Sequence, residues 1–426
     1  MTQPEILRLS CIPNNYHWGK LGSASKVAKL ASADPSFKVD EKLHYSELWM
    51  GTHPSGMSSS FEDRSVTLEK FIASNPSKIL GEKVAKKYNN QLPFLYKVLS
   101  IESALSIQSH PNLETAKELH KKFPDIYKDP NHKPEMALAI SDFEAMSGFR
   151  SLDEIASFIE DVPELRAVLG NEISDNFIAV AKLPDSPSTK EQKKLALKTA
   201  FTALMKTDPE VAAKYLASFL SRTKDSLKTN PENVLHLLHR LNDQYPLDIG
   251  LFCVFFLNII KLAPGEGFFM GADEPHAYIS GECIECMATS DNVIRAGLTP
   301  KFRDVETLLN TVTYDFGSPQ SRIFVPVPWK NSSKDHPSKF TSLYNPPIDE
   351  FAVLKTELPP NSSDSLKING PSILIAVEGS GSIHSSSTSL PLASGFVYFI
   401  PANVPFEISS SKNESICTVT AFCDES

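Results

Sequence analysis

The sequence predicts a mainly β protein interrupted by one helical block. Three observations carry this. Short runs in which apolar residues alternate, such as 106–110 (SIQSH) and 135–140 (EMALAI), recur through the first 150 residues and return after Ile249. Between 151 and 249 that alternation vanishes and helix signals replace it. A faint internal repeat relates Gly267-Phe268-Phe269 through Pro275-His276 to Gly395-Phe396-Val397 through Pro405-Phe406, which predicts a second β-barrel of the same type near the C-terminus. The expected division is a discontinuous first domain, 1–150 with 250–325, a helical domain, 151–249, and a C-terminal β domain, 326–426. Phe406 falls where the first barrel has His276, so the second should hold no metal.

Taken in order, residues 5–12 read as a first strand, and Tyr16-His17-Trp18-Gly19 ends at a turn. Residues 42–50 (KLHYSELWM) form the next strand, broken by Gly51-Thr52-His53-Pro54. Trp18 and Trp49 suit core packing or a pocket wall equally well. Residues 66–88 are helical, punctuated by Pro76 and Gly81. Residues 92–99 are an apolar strand carrying Lys97, which must be paired, used in a site, or reach out to solvent from the strand end.

In the helical block, Ser188-Thr189-Lys190-Glu191 has the pattern of a capping box. Asp208-Pro209 and Asn230-Pro231 each set a cap residue before a proline suited to the first helical turn. Leu216, Phe219 and Leu220 share one helical stripe; Leu235, Leu238 and Leu241 share another. Residues 251–262 then read as a strand buried on both faces. A strand starts at Phe268, another at Pro275, and Gly281-Glu282 is expected to turn the chain into a third. Residues 326–347, rich in Pro, Ser, Asn and Lys, read as a linker, and strands with serine-rich loops fill the rest.

Composition narrows the function. Charged residues are 22% and hydrophobic ones 41%, as in ordinary soluble proteins. A net charge of −9 argues against a nucleic-acid partner, so an anionic ligand needs a local basic pocket. No basic start followed by an apolar core predicts secretion, and the apolar run 251–262 is too short to span a bilayer. Six cysteines over 426 residues are no disulfide scaffold, and Cys283 and Cys286 read as reduced thiols of a cytoplasmic protein.

The chemistry concentrates in 104–149. Gln108 and His110 are two apart, so a strand aims both at one face, and Pro111 ends that strand. Glu135, Ala137 and Ala139 share a face further on, which suggests a lined cavity. His276 and Tyr278 share another. One amide, two imidazoles and one carboxylate suit zinc or another first-row divalent ion. With a single anionic ligand, the metal leaves the site net positive. Arg295, Lys97 and Lys133 add to that, and such a site attracts a phosphate and steadies an oxyanion. Two rival readings remain. Two histidines and a carboxylate also make the facial triad of non-haem iron oxygenases. A metal-bearing barrel that binds a sugar phosphate without turning it over fits the same residues.

Four motifs in order carry a family resemblance: Ser106-Ile107-Gln108-Ser109-His110-Pro111-Asn112, Asp129-Pro130-Asn131-His132-Lys133-Pro134-Glu135, Glu274-Pro275-His276-Ala277-Tyr278, and 290–301 (SDNVIRAGLTPK). Together with Tyr16-His17-Trp18-Gly19, Glu47-Leu48-Trp49-Met50 and Pro347-Ile348-Asp349-Glu350-Phe351, they make the chain similar to the type I phosphomannose isomerases, nearly end to end. The resemblance implies a cupin-type (jelly-roll) β-barrel catalytic domain with a helical insertion and a second cupin-like β-barrel. It implies reversible isomerisation of mannose 6-phosphate and fructose 6-phosphate, feeding GDP-mannose and glycan synthesis. It implies one Zn²⁺ per chain on Gln108, His110, Glu135 and His276, with Arg295 essential. Trp18, Glu47, Lys97, Lys133, Tyr278, Glu285 and Asp291 are the further pocket positions. The expected proton path runs through a cis-enediol, with Glu285, Asp291, Lys97 and His132 as candidate bases. Arg295 stays cationic. The protein is expected to be a monomer with no membrane or nucleic-acid partner.

Overall fold

A computed structural model describes residues 4–228, 234–330 and 337–424. The expected cap at Asn230-Pro231 lies outside them. Among these residues, two large antiparallel sheets, of ten and eleven strands, stand beside a set of helices. The ten-stranded sheet is built around one long strand, His276–Ala288. Its first half pairs with Phe143–Phe149 and Ile107–Ser109; its second half pairs with Phe94–Ile101 and Glu135–Ala139. The expected turn at Gly281-Glu282 is therefore absent. Gly281 instead bends a continuous strand at φ +107°, beside a register shift opposite Glu144 and Ala145. A Cβ there would lie 2.4 Å from the carbonyl oxygen of Asp142, so the bend requires glycine.

The bend switches which residues face inward. Before it, Tyr278 points inward while Ala277 and Ile279 pack on the helical core. After it, Cys283 points inward while Ile284 and Cys286 pack on the other face. Cys283 and Cys286 thus sit on opposite faces, and both are free thiols.

That other face meets the eleven-stranded sheet. Tyr96, Val98, Met136, Leu138 and Ile284 pack there against Ile373, Ile375, Val397, Phe399 and Val419. The first strand, Leu7–Ser10, pairs with Val397–Ile400 and so belongs to the C-terminal sheet. The 326–347 stretch is more than a linker: Val327–Pro328 and Thr341–Tyr344 add two strands to that sheet. Phe406 opens a strand, as His276 does, but packs in an apolar cluster with Leu366 and Ile408.

Helices run from Leu152–Asp161 to Val234–Gln244 around Phe177, Phe201, Leu216, Phe219 and Leu238. The capping box forms two residues earlier than expected. Ser186 caps, Pro187 takes the first turn, and Thr189 returns the bond. Asp208 caps the helix Pro209–Thr223 as expected. Residues 251–262 are not one strand. Gly250–Cys253 is a short helix and the strand is only Leu257–Leu262. A continuous apolar run has no period to separate a buried helix from a buried strand. Here Asp248 Oδ1 accepts the amides of Gly250 and Leu298, each at 2.7 Å, and fixes the helix start.

Candidate active site

Sheet register assembles the site. Directly paired residues of antiparallel strands share a face. One row across five strands reads Trp49, Lys97, Glu285, Ala137, Phe268. The next reads Leu95, Met287, Glu135, Met270. A third reads His276, Gln108, Arg295. All three rows face one side, around a cavity of about 340 Å³. Ala137 and Ala139 do not line it, contrary to expectation. Their small side chains make room for Phe143, Phe268 and Tyr278 in a packed core, and the cavity opens beyond Glu135.

At the cavity floor His110, Glu135 and His276 are 1–2% exposed, and their ligand atoms lie within 4.8 Å of one another. Nε2 of His110 is 3.4 Å from Glu135 Oε1, and Nε2 of His276 is 3.3 Å from Oε2. Each imidazole turns its Nδ1 to a backbone carbonyl, Asn292 at 2.7 Å and Glu274 at 3.0 Å. Those bonds place the ring proton on Nδ1 and leave the Nε2 lone pair facing the carboxylate. Burial pushes the His110 imidazole down to about 4, against the pull of Glu135, so the ring is neutral. Burial alone would raise Glu135; the cationic surroundings, with the Lys133 ammonium at 3.3 Å, oppose it and hold the carboxyl well below its usual range. Among the described residues, neither Nε2, nor Glu135 Oε2, has a hydrogen-bond partner. Buried lone pairs that converge without a proton between them call for a cation. The donor set, two imidazoles and a carboxylate with Gln108 in the adjoining row, fits zinc.

Lys133 pairs with Glu135 at 3.3 Å. Lys97 is not at a strand end reaching for water. It is buried, 2.9 Å from Glu285 and 3.5 Å from Glu47. Trp49 donates its indole N–H to Glu47 and lies 4.9 Å from the ammonium. Burial opposes the lysine's charge, but Glu285 and Glu47 outweigh it and hold its pKa above the ordinary value. Burial pushes Glu285 up, with Lys97 opposing. At the rim, His53 bonds Asp291 at 3.3 Å and holds that half-exposed carboxyl below its usual range. Arg295, half-buried, lines the cavity and has no bonded partner among the described residues.

Trp18, Glu47, Lys97, Gln108, Lys133, Glu135, Tyr278, Glu285, Asp291 and Arg295 all line the cavity, with His110 and His276 behind Glu135. His132 does not. Its Nε2 lies 2.6 Å from Glu350, on the side of the C-terminal sheet, which removes it from the candidate bases. The lining carries four cations, Lys97, Lys133, Arg295 and Lys301, against four carboxylates, Glu47, Glu135, Glu285 and Asp291. The walls alone are thus balanced, and a net positive site requires the metal. Sequence reasoning passed over Ser106, Tyr245, Lys301 and His53. Ser106 and Lys301 lay inside quoted motifs. Tyr245, which donates to the carbonyl of Ala104, closes the helical block where no period marks it.

Comparison with known proteins places this architecture. The family model for the catalytic domain of type I phosphomannose isomerase matches residues 6–152. The models for its helical insertion domain and C-terminal region match 168–257 and 342–388. The mannose-6-phosphate isomerase of Schizosaccharomyces pombe is 42% identical, spanning 98% of this chain and 100% of its own. That of Homo sapiens is 41% identical, spanning 99% and 100%. The crystal structure of mannose 6-phosphate isomerase from Salmonella typhimurium, bound to its sugar-phosphate substrate and to zinc, superposes with a TM-score of 0.82 at 29% identity, covering 99% of this chain and 100% of that one.

Proposed function

The chain belongs to the type I phosphomannose isomerase family, and on that premise we propose that it interconverts mannose 6-phosphate and fructose 6-phosphate at the cavity above His110, Glu135 and His276. The observation that carries the reading is the set of unpartnered lone pairs on those three side chains, at the floor of a cavity with an unpaired arginine in its wall. His110, Glu135, His276 and Gln108 would hold one zinc ion per chain, which would supply Lewis-acid polarisation of a substrate oxygen.

This chain's own residues do the rest. Isomerising an aldose to a ketose moves a proton from C2 to C1 through a cis-enediol. Arg295 is cationic at any working pH and free to hold the charge that develops on oxygen. Lys97, held in its charged form, is no base. Asp291, held low by His53, is a weak one. Glu285, its carboxyl pushed up by burial, lines the cavity with Lys97 at 2.9 Å orienting it, and is the base assigned here. Lys301 and Ser106, also on the wall, offer a cation and a hydroxyl to a phosphate.

A monomer, as the resemblance implies, is part of the proposal. No helix among the described residues is long and apolar enough to cross a membrane. A cytoplasmic role upstream of GDP-mannose and glycan synthesis completes the proposal. The test is turnover of mannose 6-phosphate in D₂O by the zinc-loaded protein. Product carrying solvent deuterium at C1 supports the reading; a protein that binds the sugar phosphate without exchange refutes it.

A further inference from the structure

We infer that Asn292 is a positioning residue that fastens the ligand His110 to the loop 129–134 leading into Lys133 and Glu135, so that the metal site assembles as one unit. Asn292 is 1% exposed and works through both of its amide groups. Its main-chain carbonyl accepts Nδ1–H of His110 at 2.7 Å. Its side-chain Nδ2 donates to the carbonyls of Asp129 at 2.7 Å and Asn131 at 2.9 Å. The orientation of this amide is forced, because the reverse would set Oδ1 against two carbonyl oxygens. One residue therefore fixes the proton of one ligand and the path of the loop that delivers another.

The neighbouring bonds make the junction stiff. Ser290 Oγ donates to the carbonyl of Asn131 and accepts the amide of Asn292. Asn131 Nδ2 donates to the carbonyl of Thr289, and the amide of Asp291 donates to Asp129 Oδ2 at 2.8 Å. The amide of Ala288 reaches the carbonyl of Pro134, next to Glu135. Only a side chain with two N–H donors on a short stem serves here. Aspartate has the same shape but would face two carbonyls with a charge and no donor. A histidine ligand whose ring is no longer held in one tautomer and orientation binds its metal more weakly, and the loss for such outer partners is roughly 10- to 100-fold in affinity.

The inference rests on the reading that the cluster holds zinc, and its test separates the two. Zinc-loaded wild type, Asn292→Ala and Asn292→Asp are challenged with excess chelator, and zinc release is followed alongside melting of loaded and stripped protein. The expected result is release roughly 10- to 100-fold faster in both variants, with a smaller gap between loaded and stripped melting temperatures. Release within twofold of wild type, with both forms melting lower by the same amount, means a purely structural asparagine and overturns the inference. A wild type that retains no zinc overturns the metal reading itself. If neither variant folds, hydrogen exchange on wild type decides. Stripping zinc should speed exchange at the amides of Ala288, Asp291 and Asn292 at least about tenfold while Ser372–His384 is unchanged; equal exchange with and without zinc overturns the inference.

Discussion

Replacing Lys97 by methionine removes a buried cation and leaves its partners in place. The ammonium lies 2.9 Å from Glu285 Oε2 and 3.5 Å from Glu47 Oε1, and all three side chains are less than a tenth exposed. Methionine fills the volume without charge. The two carboxylates then repel, and the easiest relief is for one to take up a proton. Glu285, already pushed up by burial, is the one to do so. Keeping a carboxyl of ordinary pKa about 4.3 protonated costs about 3.7 kcal/mol at pH 7 and about 1.6 kcal/mol at pH 5.5. Lys97→Met should therefore be less stable than wild type by about 3–4 kcal/mol at pH 7, within the usual range for a broken buried pair, and should recover about 2 kcal/mol at pH 5.5. The sign follows from a folded pKa raised above the unfolded one: the penalty is present above the unfolded pKa and is relieved as pH falls. Urea unfolding of both proteins at the two pH values measures it, and taking differences cancels any shared loss of zinc. A deficit of equal size at both pH values would refute the reasoning.

Three further outcomes follow from the same geometry. Arg295→Ala should lower kcat by about 10²- to 10³-fold with zinc content unchanged, as removal of an oxyanion donor does; parallel loss of zinc would make Arg295 structural. Chelation should abolish activity, restored by added zinc, while far-UV circular dichroism keeps its shape, because the cores of both sheets and of the helices are apolar and exclude the metal ligands. Glu350→Gln should lose about 1 kcal/mol of stability at pH 7. His132 holds the Glu350 carboxyl below its usual range, against burial, so this contribution is present above about pH 4.5 and fades as pH falls through the lower folded value; unfolding curves for both proteins at pH 7 and pH 3.5 check it.

The β class and the helical block were legible in the sequence, and so were the faces of several candidate site residues. Gln108 and His110 are two apart, and Glu135 opens an alternating run, so their faces could be assigned before any pairing was known. Lys97 drew notice because a lysine in an apolar strand must have a reason, yet its reason, two glutamates 50 and 188 residues away, is a matter of register. His132 read as a candidate base, an imidazole inside the motif 129–135. Its turn toward Glu350 depends on a sheet that pairing alone brings near. The strand through Gly281 misread as a turn because glycine marks both turns and bends, and the choice lay with Asp142, in the bend just before the neighbouring strand Phe143–Phe149. Asn292, Tyr245 and His53 act through backbone groups or a side chain far off in sequence, which leaves no period or spacing in the chain.

Diffraction from crystals of the zinc-loaded protein, collected on both sides of the zinc absorption edge, tests the metal centre most directly. The account predicts a single anomalous peak per chain, about 2.0–2.2 Å from His110 Nε2, His276 Nε2 and a Glu135 oxygen, with Gln108 beside it. No peak at that position, or a zinc bound elsewhere while those three side chains stay unligated, would contradict it.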